Sequence, residues 1–112
     1  MANIYKNVQK LLDSTSPTQE MYASPAETTS IVKTINLYNN HGSNLDVTVT
    51  IYDNSSTTSF EYQKVTVDAS NSVDLLTFNN ILILEAGDIL RMQTPTTNVI
   101  KMTASVLQTS RT

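Results

Sequence analysis

The chain has no cysteine and no tryptophan, one histidine, two glycines and three prolines among 112 residues. Each shortage closes off a kind of chemistry. Without cysteine there is no disulfide framework, no thiolate nucleophile and no thiolate zinc site. His41 has no second histidine or cysteine with which to complete a nucleophile–base pair or a metal centre, and Asn40-His41-Gly42 has the composition of a solvated turn. Gly42 and Gly87 are too few and too far apart to build a phosphate-cradling loop. The aspartates lie mostly beside turns, where Asp is favoured for backbone bonding, and none follows the spacing of a calcium loop. The expectation is a protein that is not an enzyme, with no catalytic residue, no metal ligand and no cofactor.

Charge is scarce as well. Charged residues make up 15% of the chain and the net charge is −3. The seven basic residues are scattered from Lys6 to Arg111 rather than clustered, which argues against a nucleic-acid partner. The longest aliphatic run, Ile81-Leu82-Ile83-Leu84, is far too short to cross a bilayer as a helix. Met1 to Leu12, interrupted by Lys6 and Lys10, lacks the continuous apolar stretch of a secretory signal. Neither nucleic acid nor membrane is therefore expected as a partner. What abounds is Thr, Ser and Asn. A surface of that kind can be laid flat against a neighbour without stranding charge, so it suits an assembly.

Against this polar background, apolar residues alternate with period two. In Leu45 to Asp53, Leu45, Val47, Val49 and Ile51 share one face, while Asp46, Thr48, Thr50 and Tyr52 share the other. Thr28 to Tyr38 is a preceding strand that places Ile31, Ile35 and Leu37 on one side. The Asn39–Asn44 turn cluster between the two predicts a hairpin, across which Tyr38 and Tyr52 meet as candidate surface-contact residues. Thr18 to Ala23, Phe60 to Val67, Val73 to Phe78 and Val99 to Gln108 complete the strand pattern. A phase slip in Phe60–Val67 calls for a β-bulge near Gln63-Lys64. Glu85-Ala86-Gly87-Asp88 is a tight turn in which Gly87 takes positive φ.

Seven or eight short strands with no convincing helix after Pro17 predict an all-β fold, an antiparallel two-sheet β-sandwich of Ig-like or jelly-roll-like type. Its expected core comprises Ile35, Leu37, Val47, Val49, Ile51, Ile83, Leu90, Met102, Ala104 and Val106. Residues 18–112 form this domain and residues 1–17 an N-terminal arm or short helix, because Ile4, Val8, Leu11 and Leu12 fall at helical spacing before Asp13–Pro17 breaks the pattern. An apolar segment outside a domain docks on something. Ile4, Tyr5, Val8, Leu11 and Leu12 are thus the candidate interface residues of an attachment arm, and removing residues 2–12 is expected to leave a folded module.

One combination goes beyond generic β patterning. Tyr22-Ala23-Ser24-Pro25-Ala26 leads into the strand Ile31-Val32-Lys33 and an Asn39-Asn40 turn. Later come Leu82-Ile83-Leu84-Glu85-Ala86-Gly87-Asp88-Ile89-Leu90 and the closing strand Ala104-Ser105-Val106-Leu107. Across roughly residues 18–107 this resembles a group of small β-sandwich virion proteins of tailed bacteriophages, well represented among marine phages. The resemblance implies a non-enzymatic structural part of the virion, assembled in the host cytoplasm. In first place it implies a capsid decoration or cement protein that binds the shell as a homo-oligomer, with a trimer favoured. A neck or tail module that anchors a fibre is the alternative, and a carbohydrate-binding adhesin is a reading from another class. The implied partners are other virion proteins, the major capsid protein or components of the neck and tail.

Overall fold

The computed structural model describes residues 2–16, 18–76 and 81–110. Every regular element among them is a strand: β1 (Ala2–Leu11), β2 (Glu20–Ala23), β3 (Thr28–Asn39), β4 (Leu45–Asp53), β5 (Thr58–Val67), β6 (Ser72–Asp74), β7 (Leu82–Leu84), β8 (Ile89–Gln93) and β9 (Ile100–Ser110). They pair as a nested ribbon. β1 runs antiparallel to β9, β2 to β8, β3 to both β6 and β7, and β4 to β5. Two further antiparallel pairings, β3 with β9 and β4 with β8, roll that ribbon into two sheets. The strand order is β1-β9-β3-β6 in one sheet, with β7 also on β3, and β2-β8-β4-β5 in the other. This is the order of a jelly roll, which decides between the two expected sandwich types.

The core lies between the sheets. Ile35, Leu37, Val47, Val49, Leu90, Met92, Ile100 and Met102 are fully buried there. The alternation expected in Leu45–Asp53 holds from Leu45 to Val49 of β4, beyond which Thr50 to Asp53 are all partly exposed, and Ile51 packs against the core. The β5 phase slip is a bulge one residue from its expected place. Val49 pairs with Gln63 and Thr50 with Glu61, so Tyr62 is the extra residue.

Four expectations are corrected. β3 and β4 do not form a hairpin, because they belong to different sheets. The chain crosses between sheets at Asn39, a fully buried residue whose Nδ2 donates to the carbonyls of Ser43 and Val67 and whose Oδ1 accepts from the His41 amide. These bonds satisfy the backbone of a corner, which sequence composition does not distinguish from a hairpin turn. Ile83 is not core: it is 55% exposed, and Leu84 fills the inward position instead. Residues 2–11 are neither a free arm nor a helix. They form an edge strand paired with β9 through ten residues, from Ala2 opposite Ser110 to Leu11 opposite Lys101. The next residue, Leu12, is fully buried, and its backbone bonds the Ile100 carbonyl and the Asn98 amide. The segment expected as a break, Asp13–Pro17, continues into the sandwich: Gln19 Nε2 donates to Asp13 and Gln93 Nε2 to the Thr15 carbonyl. Pro17 and residues 77–80, where the Val73–Phe78 strand was expected to end, lie outside the described residues.

Candidate functional site

The outer face of the β1–β9–β3 sheet carries the most distinctive surface. A bulge creates it. Along β3, Val32 pairs with Val106 and Thr34 with Ser105, which leaves Lys33 as an extra residue. The side-chain parity inverts there. Before the bulge, Thr28, Ser30 and Val32 are buried; after it, Ile35, Leu37 and Asn39 are. Ile31, expected on the core face, consequently points outward.

The register then lines up one large apolar residue from each of four strands. Tyr5 of β1 stands opposite Leu107 of β9, Leu107 opposite Ile31 of β3, and Ile31 opposite Ile83 of β7. Tyr5 is 76% exposed and Ile83 55%, while the two inner members are half-buried by their neighbours. Cross-strand partners lie about 4.5–5.5 Å apart, so this is a continuous transverse row. The Lys33 ammonium sits 5.6 Å from the centre of the Tyr5 ring, a cation–π geometry that pins the exposed phenol. Beside it is a depression of about 130 Å³ lined by Tyr5, Lys6, Asn7, Lys33, Ser105 and Val106. The neighbouring rows are polar: Asn7, Ser105 and Thr34 on one side of the apolar row, Asn3, Thr109 and Thr29 on the other.

The expected attachment residues divide. Tyr5 belongs to this row. Ile4 and Leu11 are exposed, Val8 packs partly against the core beside Ala104, and Leu12 is core outright. Leu12 therefore has no surface to offer a partner. Tyr38 and Tyr52 both face outward, but on opposite sides of the molecule. Tyr38 lies between Lys101 and Ser72 on one sheet, while Tyr52 lies between Ser59 and Ile89 on the other, with the Arg91 guanidinium 4.7 Å above its ring. They cannot meet across a shared edge. His41 sits in the corner after Asn39, where its Nδ1 accepts from the Ser43 amide. Among the described residues no group of three or more His, Asp or Glu side chains converges as a metal site.

Ile31, Leu107 and Ile83 escaped the sequence reading as surface residues. The signal was present in the adjacent aliphatic pairs Ile31-Val32, Leu82-Ile83 and Val106-Leu107. In a strand covered on one face only, one member of each such pair must point to solvent.

No protein-family model matches the sequence, and no curated protein matches it. Solved structures do resemble it. One is a chain of the virus-like particle of the extra small virus of the giant freshwater prawn Macrobrachium rosenbergii. It has a TM-score of 0.50 and 14% identity, and the match covers 96% of this chain and 79% of that one. Another comes from the acid-stable capsid of Helicobacter pylori bacteriophage KHP30, with a TM-score of 0.52 and 12% identity, covering 96% and 87%. At these identities the shared property is the fold.

Proposed function

We propose that this chain is a non-enzymatic structural protein of a virion, a decoration protein that binds the outside of a phage capsid as a homo-oligomer. The observation that carries the reading is the jelly roll itself: nearly the whole chain superposes on chains of a phage capsid and of a virus-like particle. The outer sheet face supports it, because a polar, almost uncharged surface crossed by an apolar row can be buried against a neighbour at little desolvation cost. Assembly in the host cytoplasm and contacts with other virion proteins follow from the same reading.

Stoichiometry tests it. Quantitative mass spectrometry of the purified particle that carries this protein should find on the order of hundreds of copies, as symmetric occupancy of a shell requires. Roughly a dozen copies would place it at the neck or tail instead. Absence from the particle, together with binding on a glycan array, would replace the reading with a carbohydrate-binding one.

A further inference from the structure

We propose that the outer face of the β1–β9–β3 sheet docks against the same face of a second copy of this chain, about a two-fold axis that lies in the interface along the strands. The inference stands apart from the virion reading, since it rests on the face alone.

Three observations select a second copy. The first is self-complementarity. A two-fold axis along the strands reverses the transverse row, so Tyr5 lies over Ile83 of the second copy and Leu107 over its Ile31. The depression beside Tyr5 and the Lys33 bulge falls where that isoleucine arrives. The second is charge. The same operation sets Lys101 over the second copy's Tyr38 and Asp74 over its Gln9. Neither Lys101 nor Asp74 therefore faces a like charge, and Lys101 gains an aromatic face. The third is area. Strands of ten to twelve residues run ~33–40 Å, and the row across four strands spans ~14 Å between outer strand axes. With its side chains a face of that size approaches the ~800 Å² per partner of a standard stable interface.

Two of the sheet edges are blocked by contrast. On β1, Lys6 and Lys10 occupy the parity of Val8, turned toward the core side at the open edge, and on β5 the Tyr62 bulge interrupts the ladder. Inward-pointing lysines and bulges are the devices by which edge strands avoid pairing with another chain. Strand pairing between copies is thereby disfavoured at those two edges.

The test uses the full chain in sedimentation equilibrium. The wild type should show a reversible dimer. Ile83→Lys should raise the dimer dissociation constant roughly tenfold or more, because it puts a charge in place of an apolar anchor against Tyr5 of the second copy, with an unchanged melting curve because the side chain is already half exposed. A covalent readout fixes the geometry. The chain has no cysteine of its own. Positions 5 and 83 are three strands apart within one chain, ~14 Å, beyond the reach of an intramolecular disulfide. The double variant Tyr5→Cys/Ile83→Cys should therefore oxidise to a covalent dimer, while each single variant should not. A monomer at every concentration, a trimer, Ile83→Lys that dimerises as well as the wild type, or single variants that cross-link as readily as the double would each overturn the proposal.

Discussion

The phenol oxygen of Tyr22 and the hydroxyl of Ser30 lie 2.7 Å apart, although the two residues belong to different sheets. The bond is one link of a relay with a single polarity. Gln108 Nε2 donates to the Tyr22 oxygen at 2.7 Å, and at the other end Ser24 Oγ donates to the Thr28 carbonyl at 2.9 Å. With both ends fixed, the Tyr22 hydroxyl donates to Ser30 and Ser30 donates to Ser24, 2.9 Å away. Each hydroxyl hydrogen is used once, and a polar path links the two sheets.

Removal of the phenol oxygen should therefore cost more than one ordinary hydrogen bond. In Tyr22→Phe the Gln108 amide and the Ser30 hydroxyl both lose a partner inside the fold. The expected loss is about 1–3 kcal/mol, measured as a lower urea midpoint at unchanged slope. An unchanged midpoint would mean that water replaces the phenol without penalty.

At the β7–β8 turn, Gly87 has φ 84°. A Cβ built there would stand 2.5 Å from Asn54 Nδ2 and 2.8 Å from its Cγ. The Asn54 backbone amide donates to Asp88 Oδ1 while the other Asp88 oxygen accepts from the Glu85 amide, so relief of the clash falls to rotation of the Asn54 side chain. Gly87→Val should destabilise by at least the ~1–3 kcal/mol of the strained backbone. Gly42→Ala is the control: a Cβ there meets nothing within 4 Å, and thermal melting should separate the two variants plainly.

Leu11 and Leu12 are neighbours with opposite fates. Leu12→Ala should cost about 2–5 kcal/mol, because the cavity it leaves lies in the closed core. Leu11→Ala, at a 39% exposed position, should stay within about 0.5 kcal/mol. Deletion of residues 2–12 removes β1 and Leu12 together. In place of the folded module expected from sequence, the truncated chain should lose its cooperative melting transition.

Asp53 gives a pH signature. A hydrogen bond from the Ser55 hydroxyl holds its carboxyl below the usual value; desolvation opposes it, and the Ser56 hydroxyl adds a smaller lowering. A lowered folded pKa contributes stability above the unfolded value, and that contribution is lost as pH falls through the folded one, here below about pH 4. An NMR titration should find Asp53 below the ordinary aspartate range, and Ser55→Ala should raise it.

The strands legible in sequence were those covered on one face by the opposite sheet. β4 is bounded as expected, and Ile100, Met102, Ala104 and Val106 of β9 alternate inward as expected, because burial imposes period two directly. β1 was hidden by its place at an edge. Its core-side positions are Ile4, Lys6, Val8 and Lys10. A lysine is tolerated there because no opposite sheet covers it and its stem can reach out to water. With those two positions polar, the remaining apolar residues fell by chance at helical spacing. The outer apolar row was hidden for another reason. Lys33 looks like any exposed residue, and only the pairing to β9 reveals that it adds one residue to its strand. Everything from Thr28 to Val32 is inverted as a result, including the serine that completes the polar relay.

The pairing of Ala2 with Ser110 has a mechanical consequence. Tension applied between these two residues loads the β1–β9 ladder at its first rung, and the rungs then open in succession as in a zipper. Each is an ordinary hydrogen bond worth about 1 kcal/mol net, so peeling needs little force. Shear along the strands would have to break all the rungs at once. The sandwich is therefore soft to a pull between these two points and stiff to one directed along the length of β9.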